Sequence, residues 1–301
     1  MKFLLLSLVF LFAGCAAAKR VGIDLLYREV QFPESQVIRD LPYVPNSTSP
    51  RQALDLFRAP GTNWPVLIFV HGGGWNAGNK GSRVGGADVY GNIGRFFASR
   101  GIGVAVINYR LLPEVSWREQ AADVASAVAW VHDHLGAYGG DKNRVFIGGH
   151  SAGAHLASMV ALNPKFLVEH GLSPSNLSGV ISVSGAALDL ADARTYELGE
   201  KLPYYEQRFA EVRGSGDWKE SASPVVYASD EAPPFLILYA EGEKKSMHRQ
   251  SQRLQEALRD HGVRNRIVAV PGQSHTRIVL TLSRPDRTAG PAILEFIRGP
   301  K

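Results

Sequence analysis

Apolar, β-branched-rich runs recur along the chain at residues 66–70, 104–108, 145–148, 180–183, 235–240 and 267–270, each four to six residues long and bounded by turn formers. Runs of this length and composition predict buried strands. Between them, residues 90–99, 117–135, 152–162, 247–261 and 289–297 repeat apolar positions at helical spacing. Strand and helix alternate throughout. Parallel neighbours need a crossover, and the crossover helix covers the sheet, so the pattern predicts an α/β fold with a mostly parallel central sheet and helices on both faces. Reactive side chains are then expected where strands end. Residues 21–63 are Pro-dotted and weakly periodic, and early antiparallel edge strands are expected there, with 54–57 the clearest. The stretch 192–223 is polar and aromatic without a strong period, as in a small lid.

Composition narrows this picture. The 301 residues are 45% hydrophobic and 20% charged, enough apolar mass for a substantial core and too regular for disorder. No linker or charge block divides 21–301, which reads as one domain. The net charge of +5 is spread along the chain rather than gathered into a basic patch, so nucleic acid is not implied. Residues 1–20 carry one early Lys, an apolar run at 3–13 and then small residues, the layout of an export signal. Leu11-Phe12-Ala13-Gly14-Cys15 resembles a bacterial lipobox, with Phe12 departing from the usual Leu. The expectation is an exported bacterial protein, either periplasmic or tethered to a membrane through a lipid on Cys15. Cleavage near residues 16–18 is the alternative without lipid. Cys15 is the single cysteine, so the folded part has no internal disulfide and no thiolate metal site.

The strongest local signal is Gly149-His-Ser151-Ala-Gly153, directly after an apolar run and before a helix-forming stretch. This Gly-x-Ser-x-Gly arrangement suits a nucleophile elbow, a strained strand-to-helix turn whose glycines remove side chains that would collide with neighbouring backbone. Upstream, His71-Gly-Gly-Gly74-Trp75 also follows an apolar run. Its bare backbone can aim N–H groups at an oxygen that becomes negative during acyl transfer, so Gly73, Gly74 and the Ala152 N–H are the expected oxyanion donors. His71 is read as bracing that loop. Trp75 and the aromatic residues of 192–223 either line a substrate pocket or simply pack.

A serine hydroxyl needs a base oriented by a third group. Of nine histidines, His275 alone follows a strand through a short loop, Pro271-Gly-Gln-Ser274, downstream of the serine. His155, one turn into its helix, reads as a packed side chain. The orienting acid is expected on another strand-end loop, and Glu243, Glu241 and Asp189 all qualify, Glu243 being favoured.

With these motifs in place, the sequence resembles the α/β-hydrolase superfamily, in the branch of HGGG-type esterases that includes bacterial carboxylesterases, acetylxylan and feruloyl esterases, and kynurenine formamidases. The resemblance runs from Leu54 to Phe296. It rests on His71–Trp75 with Gly78 and Lys80, Asn108-Tyr-Arg-Leu111, Asp123, Trp130, Tyr138-Gly-Gly-Asp141, Arg144, the Gly149–Gly153 elbow with His155, and Ser184-Gly185. Ser223-Pro224, Pro233-Pro234, Arg249-Gln250-Ser251 and Pro271-Gly-x-x-His275 continue it. The branch usually carries Asp at the position of Glu243 and often an aromatic at Thr276, and no full helical N-terminal cap is evident. The resemblance implies a serine carboxylesterase that hydrolyses short- to medium-chain esters of small molecules through an acyl-serine, with no metal or organic cofactor. The alternatives are an acetylxylan or feruloyl carbohydrate esterase, a formamidase, and a non-catalytic lipoprotein that keeps the fold as a binding module. None of the motifs speaks to oligomeric state.

Overall fold

The computed structural model describes residues 27–210 and 217–299; the export and lipidation expectations at 1–20, Cys15 included, lie outside the described residues. In chain order the strands are β1 (Val37–Pro42), β2 (Ala53–Phe57), β3 (Trp64–Val70), β4 (Arg83–Val84), β5 (Ala87–Asp88), β6 (Gly103–Ile107), β7 (Gly140–His150), β8 (Gly179–Val183), β9 (Phe235–Ala240) and β10 (Asn265–Val270). The helices are α1 (Val89–Ala98), α2 (Trp117–His134), α3 (Ala152–Leu162), α4 (Lys165–Val168), α5 (Ala193–Glu197), α6 (Leu202–Phe209), α7 (Trp218–Ser221), α8 (Lys245–Asp260), α9 (His275–Leu280) and α10 (Ala289–Arg298). Eight strands form one sheet in the order β1-β2-β6-β3-β7-β8-β9-β10, and β4 and β5 make a separate two-stranded ribbon. In the eight-stranded sheet β1 and β2 run antiparallel to their neighbours and the other pairs are parallel, and the β4–β5 ribbon is antiparallel.

Every residue of β3 is buried, as expected of a strand covered on both faces. Its alternation decides which face each residue feeds. Val66, Ile68 and Val70 join the core under α2, α3 and α8, whereas Leu67 and Phe69 join a second core with Phe96 and Phe97 of α1 and Ile293 of α10. This is the α/β-hydrolase architecture. Strand β7 begins five residues earlier than its apolar run: Gly140 pairs with Trp64 ahead of a register shift, and Gly140–Arg144 stay at least partly exposed and so carry no hydrophobic signal. The stretch 192–223 contains α5, α6 and α7, which are too short to show a period.

Register brings the chemistry together. Val70 sits opposite Gly149, His150 opposite Val183, and Val270 opposite Ala240. The parallel strands therefore end level, and the segments that follow β3, β7, β9 and β10 emerge at one edge of the sheet.

Candidate active site

Ser151 occupies the turn between β7 and α3 with φ +56° and ψ −119°, a conformation rare for a residue with a side chain. The surrounding backbone over-determines it: a Cβ on Gly149 would lie 2.5 Å from the Gly153 carbonyl carbon, and one on Gly153 would lie 2.2 Å from the Val70 carbonyl oxygen. Both glycines are required by close backbone approach.

The Ser151 hydroxyl donates to His275 Nε2 at 2.9 Å, and His275 Nδ1–H donates to Glu243 Oε2 at 3.0 Å. The Glu243 side chain is 1% exposed and the His275 side chain 36%. The second carboxylate oxygen of Glu243 accepts the Ala240 N–H at 3.1 Å, which fixes the acid against the end of β9. The other two acid candidates have different partners. Glu241 accepts the Gly272 N–H at 3.2 Å in an exposed turn. Asp189 is held by Arg253 at 2.8 Å and accepts the Ala191 and Asp192 N–H groups, so its carboxylate shapes its own loop while the imidazole Nδ1 is taken by Glu243. His275 stands at the first position of α9, with Ser274 as its cap, because the loop after β10 turns at once into a short helix.

The His71–Gly74 loop packs beside the serine. Tyr90 Oη accepts the Gly72 N–H at 2.9 Å. The N–H groups of Gly73 and Gly74 have no protein acceptor among the described residues, and that of Ala152 belongs to the first turn of α3, where helix donors have no intrahelical partner. Ala77 donates to the Gly73 carbonyl at 3.0 Å and Arg208 Nε to the Gly74 carbonyl at 3.1 Å, so the carbonyls are anchored while the amides remain available. His71 is fully buried, stacks on Tyr109 with ring centroids 4.3 Å apart, and donates through Nδ1 to the Gly72 carbonyl. Burial pushes its pKa down to about 3, so it braces the loop as a neutral ring.

The outlying motif residues form the scaffold of this loop. Arg110 grips Asp123 with two nitrogens, Gln120 donates to the carbonyls of Trp75 and Arg110, and Lys80 pairs with the buried Asp55. Arg249 binds Asp192 bidentately, and Gln250 bonds both the N–H and the carbonyl of Asp189 together with Thr195, clamping residues 189–195 to α8. Trp75 is 1% exposed and packs edge-on against Phe209 of α6 at 4.8 Å. Its indole N–H donates to His155 Nδ1, and His155 Nε2–H donates to the Ala222 carbonyl. Trp75 thus forms the floor of the cavity rather than an open wall.

His150 is the residue that sequence reasoning passed over. It lies inside the elbow, 7% exposed, and its Nε2–H donates to the main-chain carbonyl of His275 at 2.8 Å. Its pKa is pushed down to about 3, first by burial and then by the neighbouring His275 charge. No local pattern announces this role, since the partner lies 125 residues away.

Two cavities meet at the serine. The larger, about 660 Å³, is bordered by Trp75, Glu200, Tyr204, Tyr205 and Met247. The smaller, about 340 Å³, is bordered by Gly73, Val84, Tyr90, His150 and Val279. Ser151 and His275 line both. Among the described residues, no group of three or more His, Cys, Asp or Glu side chains is arranged to hold a metal ion, and no helix is long and apolar enough to cross a membrane.

A family model for BD-FAE matches residues 54–258. The esterase LipQ of Mycobacterium tuberculosis is 32% identical over 269 residues, covering 86% of this chain and 61% of that protein. A probable isoprenylcysteine alpha-carbonyl methylesterase, ICMEL1 of Oryza sativa subsp. japonica, is 29% identical over 267 residues, covering 83% and 59%. The chain therefore spans about three fifths of the length of these curated relatives. Among solved structures, esterase B from Lactobacillus rhamnosis superposes with a TM-score of 0.72 at 23% identity, covering 99% of this chain and 94% of that one.

Proposed function

The chain belongs to the BD-FAE family, and from that premise and the site geometry we propose that it is a serine carboxylesterase of the HGGG type acting on small-molecule esters. The single observation that carries this reading is the continuous path from the Ser151 hydroxyl through His275 to the buried Glu243, with 2.9 and 3.0 Å steps, beside unclaimed backbone N–H groups. Related proteins named as esterases support it.

In this reading Ser151 Oγ attacks the ester carbonyl carbon while its proton passes to His275 Nε2. Glu243 holds the imidazole in the tautomer that leaves Nε2 free and stabilises the imidazolium. The carbonyl oxygen, now negative, lies among the N–H groups of Gly73, Gly74 and Ala152, each donor worth ~3 kcal/mol in the transition state. His275 returns the proton to the departing alcohol as the tetrahedral adduct collapses to an acyl-serine. Water, deprotonated by the same imidazole, then adds to the acyl carbon, and the carboxylic acid leaves as Ser151 is reprotonated. The division of the site into unequal cavities of about 660 and 340 Å³ supports short to medium acyl chains, one substituent of the ester on each side of the serine. The pattern at 1–20 supports export, with Cys15 as the lipid-bearing residue of a membrane-tethered form.

The test is hydrolysis of a nitrophenyl ester series from acetate to palmitate, together with labelling by a fluorophosphonate. Wild-type protein should react with both and Ser151→Ala with neither while keeping its fold. Undiminished turnover by Ser151→Ala would end the proposal.

A further inference from the structure

Resting on the reading of Ser151 as the nucleophile, we propose that Tyr204 is a further catalytic residue, supplied by the lid: its phenol O–H donates to the ester carbonyl oxygen as negative charge develops there. Three observations lead to it. The first is placement. Tyr204 borders the larger cavity together with Gly74, Ser151 and His275, and its hydroxyl sits so close over Gly74 that a Cβ on that glycine would lie 2.8 Å from it. The third glycine of the loop therefore does more than free an amide; it leaves the space into which the phenol descends.

The second is immobilisation. Tyr204 is 39% exposed, and an exposed tyrosine on an eight-residue helix would ordinarily sample several rotamers. Here the Arg208 guanidinium lies 3.5 Å from the ring centroid and the Tyr205 ring meets it edge-on at 5.2 Å. The same Arg208 donates through Nε to the Gly74 carbonyl and through Nη1 to the Tyr204 carbonyl. One side chain thus fixes the phenol and the oxyanion loop to each other, so the distance between them does not depend on the rest of the lid.

The third is vacancy of the hydrogen-bonding group. The neighbouring Tyr205 hydroxyl donates to Glu200 and that of Tyr196 to the Leu190 carbonyl, whereas the Tyr204 hydroxyl has no protein partner among the described residues. A held, cavity-facing donor beside the amides that face the carbonyl oxygen has the attributes of a group acting on that oxygen. Arg208 is its positioning residue.

The experiment compares wild type, Tyr204→Phe and Arg208→Gln in steady-state hydrolysis of nitrophenyl butyrate, with fluorophosphonate labelling and thermal melting of each. Tyr204→Phe keeps the ring and deletes only the donor. A buried oxyanion donor is worth about 100-fold or more, and the half-open position of this phenol lowers the expected loss to about 10- to 50-fold in kcat, with KM within twofold and melting unchanged. Arg208→Gln should lower kcat in the same direction, and Arg208→Gln introduced into Tyr204→Phe should lower it by less than it does alone. An unchanged kcat in Tyr204→Phe, or a loss wholly in KM, overturns the assignment while leaving the Ser151 reading intact. A wild-type protein that neither labels nor hydrolyses removes both.

Discussion

Replacing Glu243 by Gln poses a hydrogen-bonding problem whose outcome follows from the geometry. The carboxylate faces two donors, His275 Nδ1–H at 3.0 Å and the Ala240 N–H at 3.1 Å, in a site 1% exposed. A glutamine has one acceptor oxygen for the two. If the oxygen serves His275, the amide N–H is driven against the Ala240 N–H, which leaves buried donors unpaired at about 1–3 kcal/mol. If it serves Ala240, the amide donates to His275 Nδ1, and the imidazole proton moves to Nε2, the nitrogen that must accept from Ser151. A neutral imidazole changes tautomer at small cost, so the second arrangement wins. The base is then blocked, and kcat should fall by about 10⁴-fold, as when an orienting acid is made its amide in serine hydrolases; that is about 5 kcal/mol at 1.36 kcal/mol per decade. Glu243→Asp keeps the charge but withdraws it by one carbon–carbon bond, roughly 1.5 Å. The contact opens to about 4.5 Å, and at an effective dielectric near 20 the attraction weakens by about 2 kcal/mol. His275 is partly solvated, so a loss near tenfold is expected after screening. Steady-state hydrolysis of nitrophenyl acetate by Glu243→Gln, Glu243→Asp and Glu241→Gln measures the order directly. Retention of more than a tenth of wild-type kcat by Glu243→Gln, or a greater loss in Glu241→Gln, would refute the reasoning.

Three further outcomes follow from other parts of the molecule. His71, His150 and His155 are buried with pKa values pushed down to about 3, 3 and 4, against ~6.5 in an unfolded chain. Below pH ~6.5 the unfolded state takes up protons the native state refuses, so stability present at neutral pH is lost as pH falls toward 4, by up to about 1.4 kcal/mol per unit for each ring. Urea melts at pH 7.5, 6.5 and 5.5 should show falling midpoints, and a flat series would contradict neutral burial. His150→Leu removes the donor to the His275 carbonyl and should lower kcat about tenfold with little change in KM, whereas His150→Gln, which can still donate, should recover part of the loss; full activity of the leucine variant would assign His150 to packing alone. If Cys15 bears lipid, cells grown with labelled palmitate should yield labelled wild-type protein and unlabelled Cys15→Ser, and equal labelling of the two would place the lipid elsewhere or nowhere.

The parts of this protein written in its sequence are those governed by neighbours a few positions apart. A strand buried on both faces must be apolar at consecutive positions, and so β3, β6, β8 and β9 stand out as runs. A turn that brings Gly153 within contact of the Val70 carbonyl can tolerate no side chain, and so the elbow appears as Gly-x-Ser-x-Gly. The same logic marks the His71–Gly74 loop. The interior strand β7 shows only its apolar half, because Gly140–Arg144, across the register shift in its pairing with β3, stay at least partly exposed and need no apolar side chains.

What the chain could not disclose is which distant groups become partners. Glu243 and Glu241 are two residues apart on one loop and chemically alike. Only the turn after β9 decides that one carboxylate faces inward to His275 while the other caps an exposed N–H at Gly272. The same holds for His150, whose ring reaches a carbonyl 125 residues away, and for Arg208, which joins α6 to a glycine 134 residues upstream. Local periodicity reflects burial and backbone sterics, which act over one or two turns of chain. Partner choice depends on where whole strands and helices come to rest against one another, and that is decided only when the sheet closes its register and the helices pack on it.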